Sequence, residues 1–336
     1  MADTLNQMAK DTVRWGIIGC GDVCEVKSGP GFQKAEGSQL VAVMRRDRAK
    51  AEDFARRHGV PRVHDDAAAL IADPEVDAVY IATPPSTHAP YTLQAAAAGK
   101  PVYVEKPMAT TAAEGQAMVD ACRAAGVPLF VAYYRRALPR FQRVKALLAD
   151  GAIGTPCAVN MVLCEPPRPG HLPPSPTAWR LDPAIAGAGL FLDLGSHMLD
   201  LLDHLLGPIG QARGAAVNRA GLYAAEDTIA AQLSFEGGVI GSAAWSFVTG
   251  VKLDRTEILG TAGKLQYACF EDAPIVLETA AGRQEIPVPH PPHVQQPLIQ
   301  TIVDQLRGRG RALSDASNGL RATAVMDEIL ATYRSR

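Results

Sequence analysis

The sequence predicts an α/β protein of two domains: a doubly wound parallel sheet in the first half, then an α/β second half carrying a large open, mostly antiparallel sheet. Three observations predict this. Strand and helix patterns alternate without interruption from Val13 to Ala132, as a parallel sheet requires. Between Gly210 and Val288 strand patterns follow one another, which suits antiparallel pairing with one face packed on helices. The length, 336 residues, suggests two domains at roughly 150 residues each.

Val13–Ile18 is an apolar strand that runs into Gly19-Cys20-Gly21-Asp22-Val23-Cys24 and a helix. Leu40–Met44 is the second strand, Ala49–His58 a helix and Arg62–His64 a short third strand. Asp66 is placed to cap a helix through Ile71, since a carboxylate there accepts an otherwise unsatisfied amide. Ala78–Ala82 is the fourth strand, and an alanine-rich helix from Tyr91 stops at Gly99, the usual C-terminal residue. Pro101–Glu105 is the fifth strand, Thr111–Ala125 a helix and Leu129–Ala132 the sixth strand.

Composition excludes several classes. Hydrophobic residues make up 47% of the chain, too many for a disordered protein. The net charge is −2, from 33 basic and 35 acidic residues, which gives no reason to expect nucleic acid as a partner. No apolar run approaches the ~20 residues of a membrane span, and Met1–Lys10 has no signal-peptide pattern. The expectation is a cytoplasmic protein without a membrane partner. Its six cysteines are scattered and read as free thiols.

Two features of the first half carry chemistry. Glycines spaced Gly19-x-Gly21 allow a tight turn and let a diphosphate lie against the backbone, with Asp22 and Val23 opening the helix behind it. Cys24 stands where a third glycine is usual. The second strand ends Met44-Arg45-Arg46-Asp47. Two guanidinium groups suit the 2′-phosphate of NADP, whereas Asp47 could serve the ribose hydroxyl of NAD; NADP is the preferred reading. The fifth strand then ends Glu105-Lys106-Pro107, with Lys106 at the sheet edge where such folds bind ligands. A lysine there can polarise a hydroxyl or carbonyl and share in proton transfer.

With Gly19-x-Gly21, Ala82-Thr83-Pro84-Pro85-x-x-His88 and Glu105-Lys106-Pro107 in this order, the chain resembles the glucose–fructose oxidoreductase/inositol dehydrogenase/MocA family over nearly its whole length. The resemblance implies a Rossmann domain, here 1–130, and a substrate-binding and oligomerisation domain, here 131–336. It implies that Thr83, Pro84 and His88 lie along the cofactor, that Glu105 and Lys106 border it, that Lys106 reaches the reacting oxygen, and that the bond before Pro107 is cis.

In the second half, Tyr133 and Arg136 match the family pattern, whereas Tyr134 and Ala137 replace a frequent asparagine and aromatic residue. A proline-rich loop over 165–176 holds His171 and leads to Trp179-Arg180. Gly187-Ala188-Gly189 then opens an apolar helix that carries Asp193 and His197 four apart, on one face. The resemblance implies acid–base work for His197 and substrate orientation for Asp193. Tyr133, Arg136, Trp179 and Arg180 complete the candidate substrate contacts. The roles of Tyr134, His171, Asp200 and His204 stay open. One helix rarely supplies more than two ligands to one ion, so no metal is expected. The reading is an NAD(P)-dependent oxidoreductase acting on a sugar, polyol or related cyclic alcohol or ketone, assembled as a dimer or tetramer through the open sheet. Two alternatives are a relative that retains its cofactor and cleaves by redox-assisted elimination, and a non-catalytic cofactor-binding sensor.

Overall fold

The computed structural model describes residues 11–172, 175 and 178–335. They form two compact units, one drawn from residues 11–137 and Pro291–Leu320, the other from the described residues of 138–290 and 321–335.

Among the described residues, the first unit has a six-stranded sheet: β1 (Val13–Ile18), β2 (Ser38–Met44), β3 (Arg62–His64), β4 (Ala78–Ile81), β5 (Val102–Val104) and β6 (Leu129–Val131). The order is β3-β2-β1-β4-β5-β6, and every pairing is parallel. Winding reverses between β1 and β4, and the crevice at that reversal is where an open parallel sheet takes ligands. β4, β5 and β6 are buried at every residue because helices cover both faces. Asp47, Asp66 and Thr111 start their helices by accepting the amides of Lys50, Ala69 and Glu114. Beneath the crevice, Tyr80 and Tyr103 are cross-strand partners whose rings stack at 4.9 Å, and Phe32 lies 5.1 Å from Tyr80.

The segment after Gly21 is shorter than a usual dinucleotide-binding helix. Asp22–Val26 gives way to a separate helix, Gly29–Lys34. The two turns are so close that a Cβ at Gly29 would stand 2.2 Å from the Cys24 carbonyl oxygen.

The second unit has an eight-stranded sheet among the described residues: β7 (Pro156–Cys164), β8 (Ile209–Val217), β9 (Thr228–Phe235), β10 (Ile240–Ser246), β11 (Leu253–Gly260), β12 (Gly263–Tyr267), β13 (Ile275–Thr279) and β14 (Gly282–Ile286). Its order is β14-β13-β12-β11-β7-β10-β9-β8. Neighbours are antiparallel except β7 and β10. β9 and β10 alternate buried and exposed residues, so one face packs and the other stays open. The packed face meets the helix Ser196–Leu206, where Trp245 Nε1 lies 3.4 Å from the Met198 sulfur. At Gly214 the C-terminal helix comes so near that a Cβ would lie 2.8 Å from the Ile329 carbonyl oxygen. The stretch Pro183–Leu206 is long and apolar enough to cross a membrane on composition, which corrects the expectation that no such run exists. Most of it is buried inside the protein, because it is the core helix of this unit.

Gly19 directly follows β1 and lies against the residues that follow β4. Its φ is +91°, and a Cβ there would lie 2.8 Å from Thr83 Cγ2 and 3.0 Å from the Ala82 carbonyl carbon. Gly19→Ala is expected to lower the unfolding free energy by at least about 1–2 kcal/mol, read from the urea midpoint at unchanged m-value. An unchanged midpoint would refute the close approach.

Candidate active site

The loops after β1 and β4 meet at the crevice. Gly19 N donates to Met44 O at 2.8 Å, and Ala82 N to Ile18 O at 2.8 Å, so both loops leave the sheet in fixed directions. Gly21 has an open face: a Cβ there would find only Gly19 O, at 3.9 Å. That bare backbone suits the close approach of a diphosphate, and these residues fit a dinucleotide. Cys24 fills the position of a third glycine and is fully buried. Burial pushes the Cys20 thiol up to about 11 and the Cys24 thiol higher still, so both act as small apolar groups. Arg45 Nη1 donates to the Cys20 carbonyl at 3.2 Å, which ties the end of β2 to the glycine turn, while Arg46 is exposed. Asp47 is engaged as a helix cap; the Lys50 amide it accepts holds its carboxyl below the usual range.

Glu105, at the carboxyl end of β5, is 7% exposed. Its Oε1 accepts Tyr80 Oη at 2.5 Å and Gln295 Nε2 at 2.7 Å, and its Oε2 accepts the Lys106 amide at 3.2 Å. Tyr103 Oη donates to Gln295 Oε1 at 3.1 Å. Burial, then the neighbouring Glu105, pushes the Tyr80 phenol far above its ordinary range, so Tyr80 stays protonated and donates. Glu105 therefore buttresses the turn that carries Lys106. Lys106 is partly exposed, and the bond to Pro107 is cis.

His88 is fully buried. Nδ1 lies 2.9 Å from Pro107 O and Nε2 lies 2.8 Å from Thr83 O. Burial lowers its pKa, and the two carbonyls oppose that shift. The ring pins the Thr83 loop to the Lys106–Pro107 turn. Both ring nitrogens face backbone carbonyls, so the imidazole braces these two loops from within. Tyr133 and Arg136 are also buried in this unit.

In the second unit the helix expected to carry Asp193 and His197 opens with a π-turn, Phe191–Gly195, before Ser196–Leu206. Gly195 permits it: a Cβ there would fall 2.6 Å from Phe191 Cδ2. The Phe191 ring packs on Trp245 at 4.8 Å; burying such a side chain is worth about 1.5–3 kcal/mol. π-turns often mark functional positions. Asp193 falls inside this one, its side chain 29% exposed and 3.7 Å from Arg180 Nε. Arg180 also covers the Trp179 ring at 4.3 Å. His197 is buried, with the Phe270 ring 6.2 Å away and edge-on.

The loop bearing Phe270 is itself anchored. Asp254 accepts the amides of Cys269, Phe270 and Glu271 at 2.9, 2.6 and 3.0 Å. Arg140 donates to the Glu271 carbonyl at 2.6 Å and to the Asp272 side chain. Farther along the helix, His204 stands 3.4 Å from both Gln142 Nε2 and Lys145 Nζ, and Asp200 is buried. The His171 side chain lies outside the described residues. Residue patterns missed Tyr80, Gln295, Asp254 and Phe270.

Comparison with known proteins bears on this arrangement. Residues 13–133 match the family model described as oxidoreductase family, NAD-binding Rossmann fold, and residues 141–266 match the companion C-terminal domain model. The chain belongs to the Gfo/Idh/MocA oxidoreductase family. It is similar to "Oxidoreductase P35" of Formosa agariphila, 35% identical over 95% of this chain and 99% of that protein. It is also similar to the 1,5-anhydro-D-fructose reductase of Ensifer adhaerens, 28% identical over 91% of this chain and 92% of the other. A solved structure, the aldose-aldose oxidoreductase from Caulobacter crescentus complexed with glycerol, superposes with a TM-score of 0.84 at 26% identity, covering 96% of this chain and 98% of that one. This Gfo/Idh/MocA member is an NAD(P)-dependent dehydrogenase or reductase.

Gln295→Ala removes a buried donor from Glu105 and the acceptor of Tyr103. It is expected to cost about 1–3 kcal/mol of unfolding free energy, measured by urea denaturation, and Gln295→Glu is expected to cost more. Wild-type stability in both would contradict the network.

Proposed function

We propose that this Gfo/Idh/MocA member oxidises the hydroxyl of a sugar, polyol or related cyclic alcohol, or reduces the matching ketone, with NADP preferred to NAD. The observation that carries the reading is the Lys106 turn at the carboxyl end of β5, where buried Glu105 accepts the Lys106 backbone amide and buried His88 faces the Pro107 carbonyl. Supporting it, the relatives named above include a 1,5-anhydro-D-fructose reductase and an aldose-aldose oxidoreductase.

When bound, the nicotinamide accepts or supplies the hydride. Gly19, Gly21, Asp22 and Val23 would hold the diphosphate, and Thr83 and Pro84 the face of the crevice beside it. Arg45 and Arg46 would pair with a 2′-phosphate bidentately, a role favoured by the engagement of Asp47 as a cap. Lys106 donates a hydrogen bond to the reacting oxygen and favours its negative charge as the hydrogen leaves carbon. His197 takes the hydroxyl proton in oxidation and returns it in reduction, a role that suits an imidazole near neutral pH. Asp193 and Arg180 orient the substrate hydroxyls, with Tyr133, Arg136 and Trp179 as further contacts. The open face of the second sheet, which exposes Ile240 and Leu253, carries the contact of a homo-oligomer.

The test is a panel of sugars and polyols with NAD+ and NADP+, followed by absorbance of the reduced nicotinamide. Lys106→Ala is expected to cut turnover by about 10²–10⁴ and leave cofactor affinity within a few-fold. Arg45→Ala with Arg46→Ala is expected to weaken NADP by about tenfold or more relative to NAD. Full turnover in Lys106→Ala would remove its role, and tight NAD binding with no NADP use would overturn the cofactor preference.

A further inference from the structure

The turn that opens the Asp193/His197 segment is gripped from two sides by groups to which the proposed mechanism gives no part. Glu226 is fully buried. Both its oxygens lie 2.9 Å from the Gly189 amide nitrogen. A glutamate side chain almost never goes wholly inside without a specific partner, and here the partner is a buried backbone N–H that would otherwise be orphaned. On the other side of the turn, Arg334 Nη2 donates to the Gly187 carbonyl at 3.1 Å.

The contact is too close for any side chain at position 189. A Cβ there would stand 2.7 Å from the Glu226 carbonyl oxygen and 2.9 Å from Ala225 Cβ. The seat is rigid as well. Asp227 accepts the amides of Arg219 at 2.9 Å and Ala220 at 2.7 Å, which locks the loop before β9. Gly189 then passes the constraint on, because its carbonyl accepts the Leu192 amide at 3.2 Å, at the threshold of the π-turn that holds Asp193.

We propose that Glu226 is a positioning residue for the Asp193/His197 segment: its buried carboxyl captures the Gly189 amide, Arg334 holds the Gly187 carbonyl, and together they set the direction in which the chain enters the π-turn. The consequence for catalysis rests on the reading that Asp193 and His197 act in the reaction; the structural consequence does not.

The clamp has a pH signature. Burial, opposed by the Gly189 amide, raises the Glu226 carboxyl from 4.5 to about 7. The charged and titratable groups facing it are Arg334, which favours its ionised form, and Asp227, Tyr223 and Tyr333, with Asp227 opposing ionisation. A carboxyl with a raised folded pKa stabilises the fold fully below its unfolded value and loses that contribution as pH rises through the folded value. The window is therefore between about 4.5 and about 7. Glu226→Gln keeps an acceptor for the Gly189 amide and cannot ionise. The difference in Tm, variant minus wild type, is expected to grow between pH 5 and pH 7 and then level off.

The experiment is amide hydrogen exchange over 187–197 in wild type, Glu226→Gln, Glu226→Leu and Arg334→Ala, with kcat and KM measured on the best substrate of the panel. Glu226→Leu is expected to lose protection at Gly189 and through the π-turn. Its kcat is expected to fall by about tenfold to a hundredfold, with the cofactor KM unchanged. Glu226→Gln restores both, and Arg334→Ala loosens exchange in the same segment. Wild-type protection in Glu226→Leu would overturn the proposal. If Glu226→Leu does not fold, wild-type exchange in Arg334→Ala together with a Tm difference for Glu226→Gln that is flat with pH would overturn it. If exchange loosens as expected while His197→Ala retains full activity, the catalytic reading fails and the clamp stands.

Discussion

The hydrogen bonds to the buried Glu105 carboxyl are the constraint that fixes the Lys106 turn of the first unit. A parallel sheet brings many strand ends to one edge, but it does not say how a loop leaving that edge will be held. Here the carboxyl faces back into the sheet, where Tyr80 from the neighbouring strand and Gln295 from near the end of the chain both donate to one oxygen. Its other oxygen takes the Lys106 amide. A buried acceptor deprived of such donors costs about 1–3 kcal/mol, so the turn has one strongly preferred geometry. His88 adds a second tie by facing Pro107 O and Thr83 O at once. The lysine can then present its ammonium group from a fixed backbone, which is what preorganised electrostatic stabilisation asks for.

The second unit solves a similar problem by different means. Its candidate site segment is a helix buried on a sheet, so packing holds its axis and small residues set its phase. Gly195 lets the Phe191 ring lie across the turn and onto Trp245. The wider π-turn that results carries Asp193 to a half-exposed position beside Arg180, while His197 stays buried against Phe270. Phe270 owes its place to three amides gathered by Asp254. In both units a side chain suited to chemistry is partly accessible, and the groups that aim it are buried.

Much of this was legible in the residues. The six strands of the first sheet follow from apolar runs and helix caps, and the order of motifs pointed to the family. Lys106, Asp193 and His197 stand out as candidates because lysine before proline at a strand end, and a carboxylate and imidazole four apart, are pairings with chemical meaning. What stayed hidden depends on distance in sequence. Gln295 is 190 residues from Glu105, and Asp254 is 16 residues from the Phe270 amide it accepts; no local pattern joins either pair. The π-turn was hidden for another reason, since it follows from a ring lying over Gly195 and leaves the apolar spacing of a plain helix unchanged. For His88 the motif gives no sign that both ring nitrogens face backbone carbonyls, which only the fold reveals.

The central claim is that Glu105 serves chemistry by holding the Lys106 turn rather than by touching the cofactor. Single-turnover hydride transfer in Glu105→Gln, measured beside cofactor Kd, tests it most directly. The account predicts that hydride transfer slows by about tenfold to a hundredfold while the Kd stays within a few-fold of wild type. A large loss of cofactor affinity with hydride transfer unchanged would contradict it.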